Sequence, residues 1–230
     1  MALSYRLAQA ALRYFDQTEA IRLDPVGLEV YANERSIPAG VEPILVFFGD
    51  SRAFMWPAPT PSPRYHVLNR GISYQTTAQM VLRLAPDVLS LHPAVVVLEA
   101  GVNDLKTIAS FPARRPEIVA HCERNLETIV DQCRDAGATV VIVTVFDIGD
   151  LDLWRRPFWS DGVEDAVREV NGFLRTLVGG KVILFDANAV LEDSSGKIQR
   201  AYELDHLHLS SAGYAALNSR LSPLLAPLRP

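Results

Sequence analysis

The sequence predicts a three-layer α/β/α sandwich around a mostly parallel, five-stranded sheet. Two features of its pattern carry that reading. Five short, β-branched runs show no polar alternation, as expected of strands covered on both faces. Longer stretches with helical spacing lie between them, and such crossovers join parallel strands.

The elements follow in order. Residues 1–40 read as an N-terminal appendage packed on the same domain: a helix over Leu3–Phe15, then an extended piece over Gly27–Tyr31. The main domain, 41–230, starts with a strand at Ile44–Phe48. Pro57, Pro59, Pro61 and Pro63 then mark a stiff, irregular loop. Further strands are expected at His66–Leu68, Val95–Leu98, Thr139–Val145 and Val182–Phe185. Helices are expected at Thr76–Leu84 with Asp87–Leu91 close behind, and at Pro116–Ala136, Asp161–Val178 and Ser210–Leu225. Pro116 suits a first helical position, Gly137 a stop, and Ser210 or Ser211 an N-cap.

Composition narrows the function. The 230 residues suit one well-buried domain. Apolar residues make up 49% and charged ones 21%, with a net charge of -5. No basic surface for nucleic acid is implied, because the 22 Lys and Arg are scattered. No stretch reaches the roughly 20 apolar residues of a membrane span, and Leu7–Leu12 is too short for a secretory core. Cys122 and Cys133 stand 11 residues apart in one expected helix, about 16 Å along its axis. That is too far for a disulfide, so two buried free thiols and a cytoplasmic protein are expected.

In parallel sheets the ligand site lies beyond the carboxyl ends of the strands. The polar residues collect there. The first strand runs into Gly49-Asp50-Ser51-Arg52, the second into Asn69-Arg70-Gly71, and the third into Gly101-Val102-Asn103-Asp104. Asp205-His206-Leu207-His208 precedes the last helix. Acyl transfer by serine needs a hydroxyl, a base and a carboxylate that orients the base. Ser51, His208 and Asp205 are the candidates. It also needs donors aimed at the oxyanion. The N–H groups of Ser51 and Gly71 and the Asn103 side-chain amide are the candidates, with Gly71 chosen because an absent Cβ permits close approach.

These four blocks, in this order, resemble the SGNH hydrolases, the GDSL-type esterases and lipases. The resemblance runs from about Ile44 to Leu225 and includes Asn-Arg-Gly-Ile-Ser at 69–73 and His-Leu-Ser-Ser-Ala-Gly-Tyr at 208–214. It implies a flavodoxin-like sheet and ester hydrolysis without metal or organic cofactor. The substrate would be a small-molecule ester. Two features depart from the pattern: Arg52 replaces the leucine of the family's name-giving motif, and residues 1–40 have no counterpart.

Other readings compete at single residues. Ser51, Gly71 and Asn103 could each be turn or capping residues. Asp205-His206-Leu207-His208 could bind a metal, although no further strong ligand cluster accompanies it. The Asp-x-x-His spacing selects His208 as base. Asp50 braces the turn, and His66, His92 and His121 have no partners in sequence. Ala53 excludes the G-x-S-x-G elbow of α/β-hydrolases. An acyltransferase or thioesterase would use the same parts. A carbohydrate- or lipid-binding module would not need them together. Arg52, Trp154, Phe158 and Trp159 are the candidate substrate contacts, the last three in a loop over 147–161 that leaves the active edge of the sheet. The particular ester and the oligomeric state stay open.

Overall fold

The computed structural model describes residues 23–35, 43–59, 65–148, 161–194 and 196–228. Five strands form one sheet: β1 (Ile44–Gly49), β2 (His66–Gly71), β3 (Val95–Glu99), β4 (Thr139–Val143) and β5 (Val182–Phe185). Their order is β2-β1-β3-β4-β5 and every pair is parallel. The helices are α1 (Ser51–Phe54), α2 (Thr77–Asp87), α3 (Val102–Leu105), α4 (Arg115–Asp135), α5 (Asp161–Thr176), α6 (Asn188–Leu191) and α7 (Ser211–Leu225). This is the expected three-layer architecture.

The missing polar alternation has a direct cause. Side chains alternate across a strand, and here both faces are covered. Val46, Phe48, Val96, Leu98, Val140 and Ile142 pack with apolar residues of α2, α4 and α5. Leu45, Phe47, Val95, Val97, Val141 and Val143 pack on the other side against Trp56, Phe185 and the α7 residues Tyr214, Leu217 and Leu221.

Most element bounds agree with the expected ones within two or three residues. Ser210 caps α7, its hydroxyl accepting from Gly213 N–H at 3.3 Å. Cys122 and Cys133 are free and buried in α4. Gly27–Tyr31 is not extended. Asp24 gathers the N–H groups of Gly27, Leu28 and Glu29 on its carboxylate, and the chain continues through turns into a short 3-10 helix at Ala32–Glu34. A local side-chain acceptor has won over an extended backbone. This segment bonds to the end of β2. Tyr31 donates its hydroxyl to Gly71 O at 2.6 Å, and Arg70 pairs with Glu34 at 2.9 Å. The helix expected at Leu3–Phe15 lies outside the described residues.

The chain reverses direction across the sheet between β1 and β3, because β2 lies on one side of β1 and β3 on the other. At such a switch point the loops diverge and leave a crevice at the carboxyl ends. Ser51 follows β1 there, and Asn103 follows β3.

Candidate active site

Ser51 is the first residue of α1. Asp50, just before it, accepts Arg52 N–H at 2.9 Å and caps the helix. The Ser51 N–H has no partner within the helix, as at every helix start. Its hydroxyl lies 3.0 Å from His208 Nε2. His208 Nδ1 lies 2.9 Å from Asp205 Oδ2 and 3.1 Å from Oδ1. A serine hydroxyl donating to Nε2, with Nδ1–H donating to Asp205, satisfies all three groups.

A tight turn holds the acid and base together. Asp205 Oδ1 accepts the N–H groups of Leu207 and His208 at 2.7 and 2.8 Å. Burial alone would raise the Asp205 pKa. The hydrogen bonds from the His208 ring and from the Leu207 and His208 N–H groups outweigh it and hold the carboxyl well below its ordinary range. The site therefore keeps an anion beside the imidazole at neutral pH.

Asn103 lies in α3, behind Gly101, whose φ of +117° is a backbone geometry that favours glycine. The Asn103 amide is buried and donates to Gln75 O at 3.0 Å, which leaves its second N–H for another acceptor. Asp104 has structural work. Its carboxylate accepts the N–H and hydroxyl of Thr77 at 2.9 and 2.7 Å and so caps α2 from outside.

Gly71, a candidate oxyanion donor in the sequence, closes β2. Its N–H donates to Asn69 Oδ1 at 2.8 Å. A Cβ there would stand 2.2 Å from Phe54 N, so glycine is needed for α1 to rest on β2. Close packing, rather than room for substrate, explains the missing side chain.

Arg52 is not a substrate contact; that reading is corrected. Its side chain is fully buried. It donates to Phe146 O at 2.7 Å, Leu207 O at 3.0 Å and Asp147 O at 3.3 Å, and stacks 3.9 Å from the centroid of the Phe146 ring. Tyr214 hydroxyl donates to Arg52 O at 2.8 Å. One guanidinium thus ties the turn carrying Ser51 to the end of β4 and to the turn carrying His208. Trp154, Phe158 and Trp159 lie outside the described residues. His66, His92 and His121 are exposed. Among the described residues no group of three His, Cys, Asp or Glu is placed to hold a metal ion.

Two neighbours of the site escaped the sequence reading. Lys106, one turn after Asn103, lies over the Tyr74 ring at 5.7 Å, and burial lowers its pKa. Tyr74 has φ +68°, an uncommon geometry for a residue with a Cβ. Neither feature has a local sequence signal. Glu99 does have one: it is a lone acid closing an otherwise apolar strand.

Residues 36–216 match the GDSL-like Lipase/Acylhydrolase family. The chain belongs to that family. It is accordingly a hydrolase, and membership supports ester hydrolysis in general. No curated protein matches it in sequence. Solved structures share the acylhydrolase fold. A GDSL-like lipase from Bacteroides thetaiotaomicron is 20% identical with a TM-score of 0.68, over 87% of this chain and 98% of the other. A lipase/acylhydrolase from Enterococcus faecalis is 22% identical with a TM-score of 0.58, over 82% and 98%. A catalytic mutant of an acetylxylan esterase from Geobacillus stearothermophilus is 20% identical with a TM-score of 0.57, over 81% and 95%.

Proposed function

We propose that this acylhydrolase-family protein cleaves carboxylic esters through an acyl-enzyme on Ser51. One observation carries the reading: the continuous chain of contacts from Ser51 Oγ through His208 to Asp205, at 3.0 and 2.9 Å. Ser51 Oγ attacks the ester carbonyl while His208 Nε2 takes the hydroxyl proton. Asp205 holds the imidazole by Nδ1–H and stabilises the imidazolium. The tetrahedral oxyanion accepts the Ser51 N–H and the free N–H of Asn103. Gly71 N–H joins them when Asn69 Oδ1 shares or yields it. His208 then gives its proton to the departing alcohol. Water enters, His208 deprotonates it, and a second tetrahedral intermediate collapses to free acid and Ser51.

The experiment is hydrolysis of p-nitrophenyl acetate, followed by a chain-length series of p-nitrophenyl esters. A wild type without activity on the whole series, or a Ser51→Ala variant as active as wild type, would overturn the proposal. Added alcohols and thiols test the transferase reading, through diversion of the acyl group from water.

A further inference from the structure

Glu99 ends β3 opposite Gly49, beside the turn that presents Ser51. Glu99 and Asp50 are both 0% exposed. Asp50 Oδ1 accepts the Arg52 N–H. Asp50 Oδ2 and both Glu99 oxygens have no hydrogen-bond donor among the described residues. Arg52 Nη1 is 3.9 Å from Glu99 Oε1, beyond hydrogen-bond distance, and its guanidinium donates to the carbonyls of Phe146, Asp147 and Leu207. Two adjacent carboxylates would thus carry two charges and three bare oxygens where water has no access. Buried acids resolve such a conflict by keeping a proton.

One proton answers both problems if it lies between the two carboxyls. Asp50 is the better anion. Burial pushes its pKa up too, but the cationic Arg52, a backbone N–H, Lys106 and the His208 ring all oppose that rise. Among the described residues, Glu99 has only Arg52 in its favour. We propose that Glu99 is a positioning residue: a neutral acid that donates to Asp50 Oδ2 and holds the nucleophile turn from beneath. The role in catalysis rests on Ser51 being the nucleophile; the protonation does not. Burial first, then the neighbouring Asp50, pushes the Glu99 pKa well above its ordinary value, against Arg52. Among the described residues, the titratable and charged groups facing the pair are Arg52, Lys106, Asp104, His208 and Tyr214.

The sign of the pH effect follows. The folded protein keeps a proton that the unfolded chain releases above about pH 4.5. Stability therefore falls as pH rises from there toward the folded pKa, by up to tenfold in the unfolding constant per pH unit for one proton. Glu99→Gln cannot ionise, yet its amide N–H still reaches Asp50. Urea unfolding of both proteins from pH 4.5 to 8 is the test. The Gln variant is expected to match wild type near pH 4.5 and to gain at least tenfold in relative folding equilibrium by pH 8. Parallel pH curves would overturn the proposal, whether or not the protein cleaves esters. In p-nitrophenyl acetate hydrolysis, Glu99→Gln is expected to stay within about threefold of wild type. Glu99→Leu, which strands Asp50 Oδ2, is expected to lose at least tenfold in kcat with little change in KM. A folded Leu variant with wild-type kcat would refute the positioning role. Should that variant not fold, a Gln variant losing tenfold in kcat would refute it instead.

Discussion

At the scale of single residues, the proposed chemistry depends on directed hydrogen bonds. In the proposed mechanism the Asn103 amide serves the oxyanion, so Asn103→Ala is expected to lower kcat about 10²–10³-fold on p-nitrophenyl acetate. Asp205→Asn keeps the shape but removes the charge that selects the imidazole tautomer. Its kcat is expected to fall about 10⁴-fold. The same pair gives a pH signature. Because the folded Asp205 pKa is depressed, its stabilising contribution is present above about pH 4 and lost as pH falls through the folded value. The urea-unfolding curves of wild type and Asp205→Asn should therefore converge in acid. Ser51, Asp205, His208 and Asn103 were legible because a hydroxyl and an amide just beyond strand ends, with an acid and a base three residues apart before the last helix, form a recognisable chemical set. Arg52 was misread because local sequence cannot reveal three carbonyls that come from residues 146, 147 and 207.

At the scale of elements, helix starts and close approaches position the site. Asp104 caps α2 although it belongs to α3. Asp104→Ala is expected to cost about 1 kcal/mol in urea unfolding, the value of a lost N-cap. Burial, partly offset by the Thr77 bonds, raises its pKa from 3.8 to about 6. The wild-type advantage over Asp104→Ala should therefore shrink as pH rises across that window. Gly71→Ala forces α1 away from β2. A loss of about 1–3 kcal/mol is expected, as for overpacked cores, with lower kcat because Ser51 rides on α1. The strands and long helices were legible because periodicity and terminal residues act locally. The turns at Gly27–Tyr31 were not, since Asp24 redirected several N–H groups at once.

At the scale of the molecule, one sheet edge collects groups from distant parts of the chain. Ser51 and His208 are 157 residues apart in sequence and meet at 3.0 Å. Arg52 ties the same loops from within. Arg52→Met is expected to destabilise by about 3 kcal/mol or more, because it strands the carbonyls of Phe146, Asp147 and Leu207 at about 1–3 kcal/mol each, and to abolish hydrolysis. The core can be probed independently. Burial pushes the Cys133 thiol up to about 12 and Cys122 well above its usual value. The native protein should resist a disulfide reagent, and both thiols should titrate after unfolding.

The sequence by itself determined the parallel sheet, the edge that carries the site, and the identity of a serine, a base and an acid suited to one another. Those properties follow from local periodicity and from chemistry that is recognisable in isolated side chains. Only the tertiary structure decided that Arg52 faces inward, that Gly71 yields its space to α1, and that Asp50 and Glu99 are buried together with Asp50 Oδ2 and both Glu99 oxygens lacking a donor among the described residues. Burial and contact between chain segments far apart in sequence set those properties, and both exist only once the sheet has closed around them.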